Sequence, residues 1–210
     1  MLLRDRFQTA NEKASFGLNL SYEDQIPLKS GEVFMSLVDI KTGENLLNRH
    51  IKNVITKDAS ILAAMLFKDP NSRVRGANML AVGTGATGAI LSPDAPSPDQ
   101  RKLNAEIARK PWSTTVFRDG SGNAVAIPTN IVDFTATFGE GEAVGPWTEM
   151  GIVATLSANP LVLNPNPNTY PVRDTTVDLT NYDILVNYLT FGAITKPATA
   201  RLTVTWRITF

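Results

Sequence analysis

Apolar and polar residues alternate along much of this chain, most plainly at its end. Leu202, Val204, Trp206, Ile208 and Phe210 alternate with Arg201, Thr203, Thr205, Arg207 and Thr209. That period of two is the mark of a strand with one face in a core. Between Glu32 and Asp39, Val33, Met35 and Leu37 share one face, while Phe34 and Val38 give the other face apolar character too. Lys41-Thr-Gly-Glu44 reads as a turn, with Gly43 placed for a positive φ, and the apolar stretch Leu46 to Ile55 completes a hairpin. Met79 to Val82 reads as a short buried strand. Further strands are predicted at 113–118, 124–127, 130–138, 147–155 and 183–191, separated by turn clusters such as Asp119-Gly-Ser-Gly-Asn123.

A helical period shows in two places. Thr56 to Phe67 carries Ile61, Leu62, Met65 and Leu66 at spacings of three and four; Thr56 or Asp58 is placed to cap it, and Pro70 forbids its continuation. A second helix is predicted near 98–109, opened by Ser97-Pro98, with Leu103 and Ile107 on one face and Lys110-Pro111 as its end. Residues 1–30 show no clean period and read as an extended arm, able to pack on its own domain or on a neighbour. Residues 156–182, rich in Asn and Pro, read as a long loop. There are no repeats and no heptads. The predicted class is mainly β: an antiparallel β-sandwich, jelly-roll-like or Ig-like, with one or two short helices. Residues 31–210 are expected to form this single domain behind the N-terminal arm.

Composition narrows the chemistry. Among 210 residues there are 20 Lys plus Arg, 20 Asp plus Glu, one His and no Cys. A disulfide scaffold or thiolate metal site is excluded, as is a multi-histidine site within one chain. Zero net charge gives no global attraction to nucleic acid or an anionic membrane, and no specific nucleic acid is expected as a partner. The start, Met1 to Arg6, lacks the apolar core of a signal peptide, and Ile61 to Phe67 is too short to span a bilayer. The expectation is a soluble protein made in a cytoplasm, without membrane insertion. Charged residues are only 19% of the chain, which suits a surface partly covered by partners or one rich in Thr and Asn.

Several groups of residues are candidates for chemistry. Gly83-Thr-Gly-Ala-Thr-Gly88 matches the G-x-G-x-x-G dinucleotide fingerprint and follows a strand-like segment. That mechanism needs a helix opening at the last glycine, and Pro93 and Pro96 leave no room for one. Glu140, Glu142 and Glu149, with Asp133, are carboxylates close enough in sequence to consider for acid/base work. His50 has no nucleophile motif in its company. Lys68, Arg73 and Arg75 form a small basic cluster beside Asp69, and Trp112, Trp147 and Trp206 could anchor a core or carry a sugar. None of these is assigned as a catalytic, cofactor-binding or metal-ligating residue, and no cofactor is expected.

Three stretches together resemble a family of small virion proteins of tailed bacteriophages. The first is Asn53-Val-Ile-Thr-Lys-Asp-Ala-Ser60 with the helix after it, then Leu80-Ala-Val-Gly-Thr-Gly85. The second is Leu103-Asn-Ala-Glu-Ile-Ala-Arg109. The third combines Val132 to Phe138, Trp147-Thr-Glu-Met-Gly-Ile152 and the closing strand Ala200 to Phe210. They are similar to that family's "A-(V/L)-G-T-G", "L-x-x-E-x-x-R", "F-x-A-x-F … E-x-G-(L/I)" and "L-x-V-x-W-x-(I/L)-x-F" segments, in the same order. The resemblance runs from about residue 50 to the end and leaves out the first 45 residues and the 156–182 loop. It implies a non-enzymatic structural subunit of the tail, baseplate or neck, or a fibre adaptor. Other virion proteins would be its partners, in a symmetric homo-oligomer within a virion assembled in the host cytoplasm. A capsid decoration (cement) protein and a host-glycan-binding receptor protein are the alternatives.

Overall fold

A computed structural model describes residues 30–68, 76–155, 162–163 and 182–210. The expected arm, the basic cluster beyond Lys68 and most of the 156–182 loop lie outside the described residues. The strands are β1 (Ser30–Asp39), β2 (Asn45–Lys52), β3 (Val54–Ile55), β4 (Met79–Gly83), β5 (Gly88–Ala89), β6 (Ser92–Pro93), β7 (Glu106–Pro111), β8 (Thr114–Arg118), β9 (Ala124–Val125), β10 (Ile131–Phe138), β11 (Gly145–Ala154), β12 (Val162–Leu163), β13 (Ile184–Lys196) and β14 (Ala200–Thr209). Among the described residues one helix, α1 (Lys57–Lys68), lies between β3 and β4.

The strands form two antiparallel sheets packed as a sandwich. The first runs β2-β1-β14-β10-β8-β9 and the second β12-β7-β4-β11-β13-β3; β5 and β6 make a separate small hairpin. The alternation read at the C-terminus is realised in β14. Leu202, Val204, Trp206 and Ile208 are buried, facing Val33, Met35 and Leu37 of β1 and Ala136 and Phe138 of β10. Phe210, the last member of the series, is 45% exposed and lies beyond the strand. The second sheet supplies Leu80, Val82, Ala108, Met150, Ile152, Ala154, Ile184 and Leu189 to the same core. Between the layers Phe138 and Trp147 meet edge to face at 5.0 Å, and the Trp147 indole donates to the Ala143 carbonyl. Burying one such large apolar side chain stabilises the fold by about 1.5–3 kcal/mol, so these inward rows dominate the folding energy.

The helix is placed as predicted, but its buried face is turned. Ala59 and Leu62 are buried and Met65 and Leu66 partly so, whereas Ile61 is 41% exposed. Thr56 does not cap the helix with its side chain. Its hydroxyl donates to the Leu185 and Val186 carbonyls of β13 and so ties the start of α1 to the second sheet.

The helix expected near 98–109 is not formed. Ser97 begins only a turn, in which its hydroxyl accepts from the Asp99 N–H and its carbonyl from the Gln100 N–H. From Glu106 the chain is strand β7, paired antiparallel with β4 from Met79↔Pro111 to Gly83↔Glu106. Leu103 and Ile107 do not share a face. Leu103 joins Ala81, Val153, Leu185 and Tyr188 in a second buried cluster, while Ile107 packs against the main core. Two apolar residues four apart fit a helix or a loop followed by a strand, and the free ladder of β4 decided between them.

Candidate functional site

The fingerprint-like loop after β4 closes over a carboxylate. Glu149 of β11 is wholly buried. Its Oε1 accepts from the backbone N–H of Gly85 at 3.0 Å and of Ala105 at 2.8 Å. Its Oε2 accepts from the Asn104 N–H at 3.0 Å and the Tyr188 hydroxyl at 2.6 Å. Four donors surround it in these contacts, so both oxygens of this enclosed side chain are satisfied. Burial and the adjacent Glu149 carboxylate push the Tyr188 phenol far above its ordinary range.

This arrangement explains the glycines. A Cβ on Gly83 would lie 2.6 Å from both the Ala105 carbonyl oxygen and Glu149 Oε1, and one on Gly85 would lie 2.3 Å from the Ala105 nitrogen. Only a residue without a side chain lets the loop, the 104–105 backbone and the carboxylate approach so closely. Gly88 has φ +90° and opens the β5–β6 hairpin rather than a helix. The dinucleotide mechanism therefore lacks its helix N-terminus, and the interior space of the loop is filled by Glu149.

The four carboxylates weighed from sequence do not form one constellation. Glu149 is enclosed as described, and Glu140 is exposed. Asp133 lies on the outer face of the first sheet, where Arg207 binds both its oxygens at 2.7 and 2.9 Å and Arg118 adds a bond at 2.8 Å. Burial raises the Asp133 pKa, but the bonds from Arg207 and Arg118 outweigh it and hold the carboxyl below its usual range. Glu142 accepts from Lys110 at 2.5 Å and from the Gly139 N–H at 2.7 Å. Lys196, wholly buried, donates to the Gly139 carbonyl at 2.7 Å. Burial pulls the Lys196 ammonium below its ordinary range, against the attraction of Glu142. A further ion cluster, Arg109 with Glu106 and Asp183, was not singled out from the sequence. Its partners lie 74 residues apart along the chain for Arg109 and Asp183, beyond any local pattern. Among the described residues no group of three or more His, Asp or Glu is placed to hold a metal ion.

Trp147 and Trp206 are wholly buried and present no ring to a ligand. Trp112 is partly buried and donates to the Ala77 carbonyl. Besides the exposed Phe67 and Phe210, accessible ring surface is found on the outer face of the first sheet. Phe34 and His50, opposite each other on β1 and β2, stack at 4.5 Å and 9°, and the Arg207 guanidinium lies over the Phe34 ring at 5.5 Å. They stand at one end of a shallow groove of about 410 Å³ lined also by Ser36, Asn48, Thr203 and Thr205. Phe34 was visible in the sequence as an apolar residue on the wrong face of its strand. Its pairing with His50 depended on the hairpin register.

No protein-family model matches the chain, and no curated protein is significantly similar to it.

Proposed function

We propose that this chain is a structural component of a tailed-phage virion, a tail, baseplate, neck or fibre-adaptor subunit that acts through protein–protein contacts. One observation supports this reading above the others: the three stretches that carry the resemblance meet at a single internal node. Gly83 and Gly85 come from the first, Leu103, Asn104 and Ala105 from the second, and Glu149 and Gly151 from the third. The signature residues hold two strands and two loops together, which suits a family that shares a scaffold rather than a reaction. The outer face of the first sheet, with its groove and its Thr and Arg rows, offers such a scaffold a contact surface.

The test is localisation on purified particles with an antibody or a small tag. Signal confined to the tail, baseplate or neck is the expected result. Signal over the whole shell, with a copy number matching the capsid lattice, would make the protein a decoration subunit. Absence from particles would overturn the virion reading altogether. A glycan-receptor role would fall to the Phe34–His50 groove, since two of the three tryptophans are enclosed. Glycan-array binding abolished by Phe34→Ala would replace the scaffold reading.

A further inference from the structure

Among the described residues strand β2 is the long edge of the first sheet. Among the described residues it pairs on one side only, with β1, through seven of its eight residues, whereas β9 at the opposite edge has two residues. The direction of its free hydrogen-bonding groups follows from the register. The Asn53 N–H donates to the Gly31 carbonyl at 3.1 Å. Bonded and non-bonded pairs alternate in an antiparallel ladder. Val33–Ile51, Met35–Arg49 and Leu37–Leu47 are therefore bonded pairs, and Asn48, His50 and Lys52 turn their backbone N–H and C=O groups outward. All three residues are exposed. An edge of this length, with no proline and no bulge across its outward-facing residues, is a template for another strand.

The side chains along β2 define what kind of strand. Its inward face carries Leu47 and Ile51, both partly buried, with Arg49 between them. Its outward face carries Asn48, His50 and Lys52. The strand has two formal cations, one histidine and no acid.

The segment Leu18-Asn-Leu-Ser-Tyr-Glu-Asp-Gln-Ile26 complements this edge in charge and carries apolar residues for its inward face. Laid out as a strand it would put Leu18, Leu20, Tyr22 and Ile26 on one face, an alternation broken by Asp24, to stand beside Leu47, Arg49 and Ile51. Asn19, Ser21, Glu23 and Gln25 share the other, to stand beside Asn48, His50 and Lys52. The segment has two acids and no base.

We propose that the outer edge of β2 receives residues 18–26 of a second copy of this chain, added to the first sheet as a further strand. Chain direction favours a second copy over the same chain. Ser30 begins β1 at the end of the sheet where β2 finishes, since Glu32 faces Lys52. An arm folded back on its own β2 would have residues 27–29, Pro27 among them, to pass the end of that strand, and would run parallel to it. An arm from another copy is free to pair antiparallel, the more stable arrangement per residue. The inference concerns how copies join and stands apart from the particle assignment.

The absence of cysteine makes a clean test possible, because every introduced thiol is unique. Full-length Ser21→Cys and Asn48→Cys chains are purified separately, mixed under mild oxidation and read on a non-reducing gel. Asn19→Cys and Gln25→Cys chains scan other registers of the outward face. The expected product is a cross-linked dimer of the two different chains, abundant only in the mixture. Adding His50→Pro to the Asn48→Cys chain removes one outward N–H without touching the β1 ladder, and lowers the yield roughly tenfold. Circular dichroism and thermal melting establish that this chain is folded. If it is not, Lys52→Glu, an exposed charge reversal, takes its place and lowers the yield several-fold. No heterodimer in any arm register overturns the proposal. So does a yield unchanged by Lys52→Glu and His50→Pro in folded chains. A cross-link formed only within the doubly substituted Ser21→Cys, Asn48→Cys chain assigns the edge to the chain's own arm and overturns the second-copy assignment.

Discussion

The Glu149 carboxylate concentrates more consequence in one side chain than any other residue described. It is wholly buried and accepts four hydrogen bonds, so its loss leaves four donors without their acceptor. Glu149→Gln presents an amide nitrogen to N–H donors that need an acceptor. Urea denaturation is expected to show a loss of about 2–4 kcal/mol, close to the loss for Glu149→Ala. Gly85→Ala drives a methyl into the Ala105 nitrogen and is expected to cost about 1–3 kcal/mol; combined with Glu149→Ala the two losses do not add, because Glu149 both crowds the methyl, with Oε1 at 2.7 Å, and holds the 104–105 backbone against it. Tyr188 gives the same node a pH signature. Its phenol keeps its proton in the folded chain at pH values where an unfolded tyrosine loses it. The stability it contributes is complete below pH ~10 and declines as the pH rises above that value, as the unfolded state gains by ionising. Denaturation midpoints between pH 9 and pH 11 should fall, and Tyr188→Phe should flatten part of that fall.

At the scale of elements, β10 and β14 are joined on their outer faces as well as through the core. Thr135 meets Thr205 at 3.0 Å and Thr137 meets Thr203 at 3.2 Å. Next in the row Asp133 binds Arg207, and Arg118 reaches it from β8. Asp133→Asn leaves two guanidinium groups without their charge partner. It is expected to destabilise the chain by about 1–3 kcal/mol at neutral pH, measured by chemical denaturation. The Asp133 pKa lies lower in the folded chain than in the unfolded one. Its contribution is therefore present above pH ~4 and is lost as the pH falls through the folded value, so Asp133→Asn and the native chain converge in stability toward pH 2. Elements with local signals were legible in the sequence. β1, β14 and α1 stand where periodicity put them, because strand alternation and helical spacing are properties of neighbouring residues. The segment 98–109 was not, because its strand exists only by pairing with β4.

At the scale of the whole molecule, the surface carries features that folding does not require. Ile90 and Leu91, between β5 and β6, are 72% and 84% exposed. Only their backbones are used, as when the Ile90 carbonyl accepts from the Ala193 N–H. Replacing both with serine is expected to change stability by less than about 0.5 kcal/mol, since neither side chain leaves a core. Under the assembly reading the same substitution lowers incorporation into particles, measured by quantitative mass spectrometry of purified virions. Normal incorporation would leave the hairpin tip outside the contact surface.

The sequence alone determined the class of fold, the hairpin at the start of the sandwich, the helix and the inward face of the last strand. These follow from short-range periodicity and turn chemistry, which the chain carries wherever it is placed. It also marked Gly83, Gly85 and Glu149 as notable residues, but separately and under two different chemistries. Only the tertiary structure brought them together, because hydrogen bonds between residues 44 to 64 positions apart leave no local pattern. The same holds for the Phe34–His50 stack and for the place of β2 at the edge of the first sheet among the described residues. Both depend on strand order and register, which sequence periodicity sets within a strand and not between strands.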